Sequence, residues 1–443
     1  MSDRWGRERV LALAPDPSSA RAAGGVAKPA EWLDVGCDDA SVWGECRGGG
    51  TAAYRACVDL AEPAFRCSCP SRKFPCKHAL GLLLLWSDGT VDDAARPPWV
   101  AEWLDRRAER AAGAQERGAA APVKTPDPKT VERRRRRVDD GVAELAQWLR
   151  DQVGQGLAQA ERAPYKVWDD AARRLVDAQA PGLAGQVKGL SALRHGDSWP
   201  DRLLEEYALL ALLARAHRRA ADLPEPLRAT VRSRVGFTVT EAEVLATGER
   251  VRDEWYVAGS RDTPQDQITA RRVWLRGVRT GRPALVLFFA APGRVLDASF
   301  VAGATVDAEL AFYPGARPLR AAVAERHGLT ATPPGGCTVG DLLREYADAL
   351  ALDPWLDRWP AVLADVRLAT PAESPVRADN LHVVDDHGDV LPLRFSPAEE
   401  SRHDPWRLLA VSGGDRFTLA GEWSPRGLQP LSAWHPEEGA VVL

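Results

Sequence analysis

The stretch Phe65–Trp86, FRCSCPSRKFPCKHALGLLLLW, decides the reading of this 443-residue chain. Three of its seven cysteines and one histidine fall here as C-x-C, six residues, then C-x-H. Side chains at i and i+2 of a strand point to one side, so Cys67 and Cys69 can reach one ion from one strand end. Pro70 and Pro75 restrict the loop between the pairs and lower the cost of bringing the second pair back. Cys76 and His78 then stand where the loop enters a helix, expected over Lys77–Trp86 and closed by Ser87-Asp88-Gly89. Three thiolates and one imidazole suit a tetrahedral Zn²⁺, with Zn–S near ~2.3 Å and Zn–N near ~2.0 Å. Ligand softness argues against calcium or magnesium. Four protein ligands close the coordination sphere and leave no position for water or substrate, so the site is structural.

Working outward, Ala53–Leu60 reads as a strand and Phe65–Cys69 as its hairpin partner. The helix behind them, Ala79–Trp86, is apolar nearly all round and must be buried. Arg66, Arg72, Lys73 and Lys77 surround the ligands and could balance the charge of about −1 that three thiolates leave on the zinc. Cys37, Cys46, Cys57 and Cys337 scatter, which excludes a disulfide scaffold. Cys46 reads as a small buried hydrophobe, with a spare thiol beside the metal as the other reading.

The ligand pattern and its strand-strand-helix frame resemble the SWIM zinc-finger family. The run CSCPSRKFPCKHALGLLLLW, the upstream Trp43-Gly-Glu-Cys46 and the strand around Tyr54 look like its bacterial branch in particular. The resemblance covers about forty residues. It implies a module that binds nucleic acid or other proteins. It also implies, by genomic association, MoxR-type AAA ATPases and von Willebrand A-domain proteins as partners.

The rest of the chain divides by its periodicity. Residues 1–100 form the N-terminal region, with the zinc module's core at about 51–88. Pro97–Trp103 and the charged, alanine-rich stretch beyond it suggest one exposed helix, and 101–130 reads as a charged, proline-rich linker. Over 131–235, apolar residues recur at helical spacing: Val138, Val142, Leu145, Leu149, Val153 and Leu157 form one stripe, and four further helices follow. Over 236–443, Val251–Val257, Arg271–Leu275, Ala284–Ala290, Val295–Val301, Leu381–Val384, Val390–Arg394, Leu408–Ser412 and Phe417–Gly421 read as strands, with a helix at Val339–Leu350 capped by Thr338 and Asp341. The expected class is multidomain α+β: a zinc-bound N-terminal module, a helical middle and a β-rich C-terminal region.

Composition narrows the function. A net charge of −4 and 27% charged residues give no global attraction to nucleic acid or membrane, so any basic surface is local. Arg133, Arg134, Arg135, Arg136 and Arg137 form such a run, read either as phosphate contacts or as a solvated helix end flanked by Glu132 and Asp139-Asp140. Asp385-Asp386-His387-Gly388-Asp389 reads as a hairpin turn. No phosphate loop, dinucleotide fingerprint, nucleophile elbow or metalloprotease motif occurs, so no catalytic residue is assigned. The N-terminus lacks a secretory h-region and the longest apolar run is too short for a bilayer. The expectation is a cytoplasmic, non-enzymatic adaptor; the alternatives are a nucleic-acid-binding protein that uses Arg66, Arg72, Lys73, Lys77 and the arginine run, and an enzyme with a site assembled in the C-terminal half.

Overall fold

A computed structural model of the chain describes residues 4–14, 17–48, 53–60, 64–71, 75–107, 109, 127–193, 198–265, 268–291, 296, 299–330, 332–370, 380–395, 405–435 and 439–443. Helices α1 (Arg7–Ala12) and α2 (Pro17–Val26) precede a four-stranded antiparallel meander of β1 (Trp32–Cys37), β2 (Ser41–Cys46), β3 (Tyr54–Asp59) and β4 (Ala64–Cys67), with α3 at Lys77–Ser87. The all-round apolar character of α3 has a direct cause. The sheet lies on one side and α1 and α2 on the other, so every residue from His78 to Trp86 is buried. Gly81 is required by that closeness: a Cβ there would stand 2.6 Å from Val26 Cγ2.

The other face of the meander is covered by α4 (residues 98–107), whose Val100, Trp99, Trp103 and Leu104 pack on Trp43 and Cys57. Arg107 reaches the buried Asp59 at 3.2 Å. The helix expected after Pro97 is therefore present, with one face exposed at Glu102, Asp105 and Arg106 and the other covered. Its aromatic face is the second cover of the sheet.

Helix α5 (Pro128–Gln155) begins inside the stretch read as linker, with Asp127 accepting from the Lys129 backbone N–H at 3.2 Å. Residues 110–126 of that stretch lie outside the described residues. α6 (Ala158–Arg162), α7 (Lys166–Asp177), α8 (Pro181–Gly189), α9 (Trp199–Arg218) and α10 (Glu225–Val235) complete the helical region. Val138, Val142, Leu145 and Leu149 are buried as the stripe requires, but Val153 is exposed and Leu157 only half-buried at the margin of the same core. α8 and α10 touch backbone to backbone at Gly182, where a Cβ would sit 2.2 Å from the Arg234 carbonyl.

The β-rich half is two bodies, a division the sequence pattern did not show. After α11 (Glu241–Thr247), β5 (Glu249–Gln265), β6 (Ile268–Gly277), β7 (Pro283–Ala290), β8 (Thr305–Phe312) and β9 (Arg320–Thr330) close a barrel in the order β5-β6-β7-β9-β8. A six-stranded antiparallel sheet follows, in the order β12-β11-β10-β13-β14-β15. It comprises β10 (Trp359–Ala369), β11 (His382–Val384), β12 (Val390–Pro392), β13 (Phe417–Ser424), β14 (Gly427–His435) and β15 (Gly439–Val442). α12 (Val339–Leu352) packs against this sheet, and the Thr338 hydroxyl accepts from Asp341 N–H as expected.

Two strand expectations fail. Leu408–Ser412 belongs to helix α13 (Pro405–Ser412), where Pro405 leads the first turn and Leu408 and Ser412, four apart, are the buried face. Of Val295–Val301, residues 295, 297 and 298 lie outside the described residues; 296 and 299–301 are not strand, and Phe300 drops into the barrel core. The acidic loop is the expected hairpin turn: Asp385 accepts from the N–H groups of His387, Asp389 and Val339, and Gly388 has φ +82°. No helix among the described residues is long and apolar enough to cross a membrane.

Candidate metal centre

The hairpin β3–β4 is held in register by Ala56 opposite Cys67, and beyond it Ser68 N–H donates to Arg55 O at 3.0 Å while Arg55 N–H donates to Ser68 Oγ. That register delivers Cys67 at the last strand position and Cys69 two residues on, aimed the same way. Cys76 is the N-cap of α3 and His78 lies in its first turn. One ligand atom from each of the four lies within 4.8 Å of every other. Cys67 Sγ and His78 Nδ1 are 3.8 Å apart. A tetrahedron with bonds of ~2.0–2.3 Å has edges of about 3.5–3.8 Å, so the Cys67–His78 pair is at about that separation and the whole set is close enough to share one ion.

The electrostatics agree with a thiolate site. Donation from the Cys67 thiol pulls Cys76 down to about 4, with His78 and the Ala79 N–H adding to it against the cost of burial. The same pairing, with burial, pushes Cys67 up, and burial raises Cys69. Three thiolates this close would repel one another, and a divalent ion bound among them offsets that charge. His78 is buried, and its ring lies 4.9 Å from that of Tyr54, a wall of the site that the ligand spacing did not reveal. The donors fit one structural Zn²⁺ held by Cys67, Cys69, Cys76 and His78. All four positions are protein atoms, so the ion's chemistry is to fix the hairpin to the helix.

Cys46 lies in the hydrophobic core rather than in the ligand set, its thiol 3.6 Å from Arg47 O and pushed up by burial. Arg66 and Lys77 are exposed beside the site; Arg72 and Lys73 lie outside the described residues. The arginine run sits one to two turns inside α5, not at its start. Arg133, Arg135, Arg136 and Arg137 are exposed, with Arg136 paired to Glu132 at 3.3 Å and Arg135 to Asp139 at 4.0 Å. Arg134 turns inward: it donates to Gly236 O and its guanidinium lies 5.0 Å from the Phe237 ring centre.

The remaining histidines stay apart. His217 meets Asp139 at 2.7 Å and His382 meets Asn380 O at 2.9 Å, while His195 and His403 lie outside the described residues. Among the described residues the Cys₃His group is the only cluster able to hold a metal ion. Trp168, Trp255, Trp274 and Trp423 are buried as core anchors of their helices and strands.

Comparison with known families agrees with this geometry. No curated protein and no solved structure matches the chain. Residues 58–86 match the SWIM zinc finger, and residues 133–235 match the SWIM-associated four-helix bundle domain. The chain therefore carries a SWIM zinc finger together with the helical bundle that accompanies such fingers.

Proposed function

We propose that this is a non-enzymatic, cytoplasmic adaptor whose zinc-locked N-terminal unit engages a protein partner. The observation that carries the reading is the closed coordination sphere: four protein donors around one point, three of them thiols, at the junction of a hairpin and a buried helix. Such a centre rigidifies a surface and offers nothing to a substrate. Three further bodies follow it, a bundle, a barrel and a sheet, each with its own buried core and together suited to presenting several contact surfaces. The resemblance to SWIM proteins supports partners of the MoxR-type AAA ATPase or von Willebrand A-domain class.

The test is affinity purification of the full chain from native lysate after nuclease treatment, in parallel with Cys69→Ser. A partner retained by the zinc-loaded protein and lost with the substitution supports the reading. Recovery of nucleic acid alone, or of partners indifferent to the substitution, overturns it. Nucleic-acid binding is the second reading, and the exposed side chains of Arg133 and Arg135–Arg137 favour it.

A further inference from the structure

The barrel order β5-β6-β7-β9-β8, antiparallel throughout except for the β7–β9 pair, is the Greek-key arrangement of five-stranded barrels that bind oligonucleotides or oligosaccharides on the outer face of their second and third strands. Strand order assigns no ligand by itself. The side chains on that face do so. Val273, Leu275 and Val286 fill the barrel, so alternation places Arg272 and Trp274 of β6 and Leu285, Leu287 and Phe289 of β7 outside. Half of this face is closed: Trp274 and Leu285 pack with Val362, Ala420 and Leu431 of the six-stranded sheet. The other half is open, and Phe289 is 53% exposed.

At the edge of the open half, three guanidiniums come together. Arg261 and Arg272 are directly opposite each other on β5 and β6 and share a face, a pairing that costs stability. Arg358, just before β10, enters from the facing sheet. The buried carboxylate of Glu422 lies among them, with Gln429 also accepting from Arg261. It accepts from Trp274 Nε1 at 2.7 Å, from Arg261 at 3.4 Å and from Arg358. Asp357, 3.5 Å from Arg358, is largely in solvent. Arg272 has no hydrogen-bond or ion-pair partner among the described residues. Burial holds the Arg358 pKa below its usual value, and the charges of Arg272 and Arg261 push the same way against Asp357. Phe289, opposite Ala270, lies diagonal to Arg272, which is opposite Leu287. The two residues are thus diagonal neighbours on one face, a spacing of about 7–8 Å between positions that long and aromatic side chains can span.

We propose that the open half of the β6–β7 face binds single-stranded nucleic acid, with Arg272 and Arg358 facing phosphates and Phe289 stacking under a base. Guanidiniums supply the phosphate contact and an exposed ring the sequence-tolerant stacking that such sites combine. An acidic peptide would use the arginines but has no need of the ring. The site stands apart from the metal centre and does not depend on what the zinc finger binds.

The test is fluorescence anisotropy of a labelled oligothymidylate of about fifteen nucleotides with the zinc-loaded full chain, between about 50 and about 200 mM salt. Arg272→Ala is expected to weaken binding about tenfold and reduce the salt slope by about 0.7. Phe289→Ala is expected to weaken it about tenfold with the slope unchanged. Neither change should lower the melting temperature, since Arg272 has no partner among the described residues and Phe289 is exposed. Absence of binding by the wild type at low salt overturns the proposal. So does binding that both variants retain, that only alanines at Arg133–Arg137 abolish, or that polyglutamate matches in affinity and in its indifference to Phe289→Ala.

Discussion

Replacing Cys76 with serine separates the contribution of the ion from that of the core around it. Cys76 is the N-cap of α3, a position where serine is favoured over most residues, so Cys76→Ser removes a sulfur ligand without unseating the helix. With free zinc held about a hundredfold above its Kd, an ion that binds only the folded unit contributes about 2.7 kcal/mol. A serine hydroxyl accepting from a first-turn N–H returns up to about 1 kcal/mol. The net loss is about 2 kcal/mol, which for a unit of roughly a hundred residues lowers its melting by about 8–16 °C. The unit should not unfold outright. Leu80, Leu82, Leu83, Leu84 and Trp86 remain buried against α1, α2 and the meander whether or not the hairpin end is locked.

Calorimetry of the full chain at fixed free zinc, paired with metal content by mass spectrometry, reads both quantities. Wild type should hold one zinc and lose the stabilisation in chelator, whereas Cys76→Ser should hold none and be indifferent to chelator. Cys46→Ala, which removes a core thiol outside the ligand set, should keep its zinc. A Cys76→Ser protein that retains one equivalent with unchanged melting would refute the assignment of the ligands.

Two further outcomes are expected. Gly182→Ala forces a Cβ onto the Arg234 carbonyl, so α8 and α10 must separate; despite about 1 kcal/mol of helix propensity gained, a net loss of about 1–3 kcal/mol should appear in urea denaturation of the bundle, and a variant as stable as wild type would mean the two backbones are not in contact. Asp253 is fully buried in the barrel: burial would raise its carboxyl, but the Thr280 hydroxyl and the N–H groups of Thr280, Arg279 and Glu254 outweigh it and hold the pKa below the ordinary value. Its stabilisation is therefore complete above the unfolded carboxyl value near ~3.9 and is lost as pH falls through the lower folded value. Asp253→Asn should flatten that part of the acid-denaturation curve, and an unchanged curve would count against the carboxylate's role.

The metal centre was legible in the sequence because its chemistry is local. Cys67, Cys69, Cys76 and His78 lie within twelve residues, strand alternation and a helix start orient them, and no distant segment is needed to complete the set. The same locality exposed the bundle, whose helices announce themselves at Val138, Val142 and Leu145, and the turn at Asp385–Asp389. The tertiary structure decided what local patterns cannot encode. Whether Leu408–Ser412 is strand or helix depends on which of two four-residue apolar patterns finds a buried partner, and Leu408 with Ser412 found one at helical spacing. The face of α4 was set by Trp43 and Cys57, some forty to sixty residues earlier. The division of the last two hundred residues into a closed barrel and a separate sheet rests on strand pairings, such as β5 with β8, that join distant residues, Glu249 with Phe312 among them. The meeting of Arg261, Arg272, Arg358 and Glu422 required that barrel to dock on that sheet. Spacing in a sequence fixes what one turn or one hairpin can reach, and it carries no record of which surfaces will afterwards be pressed together.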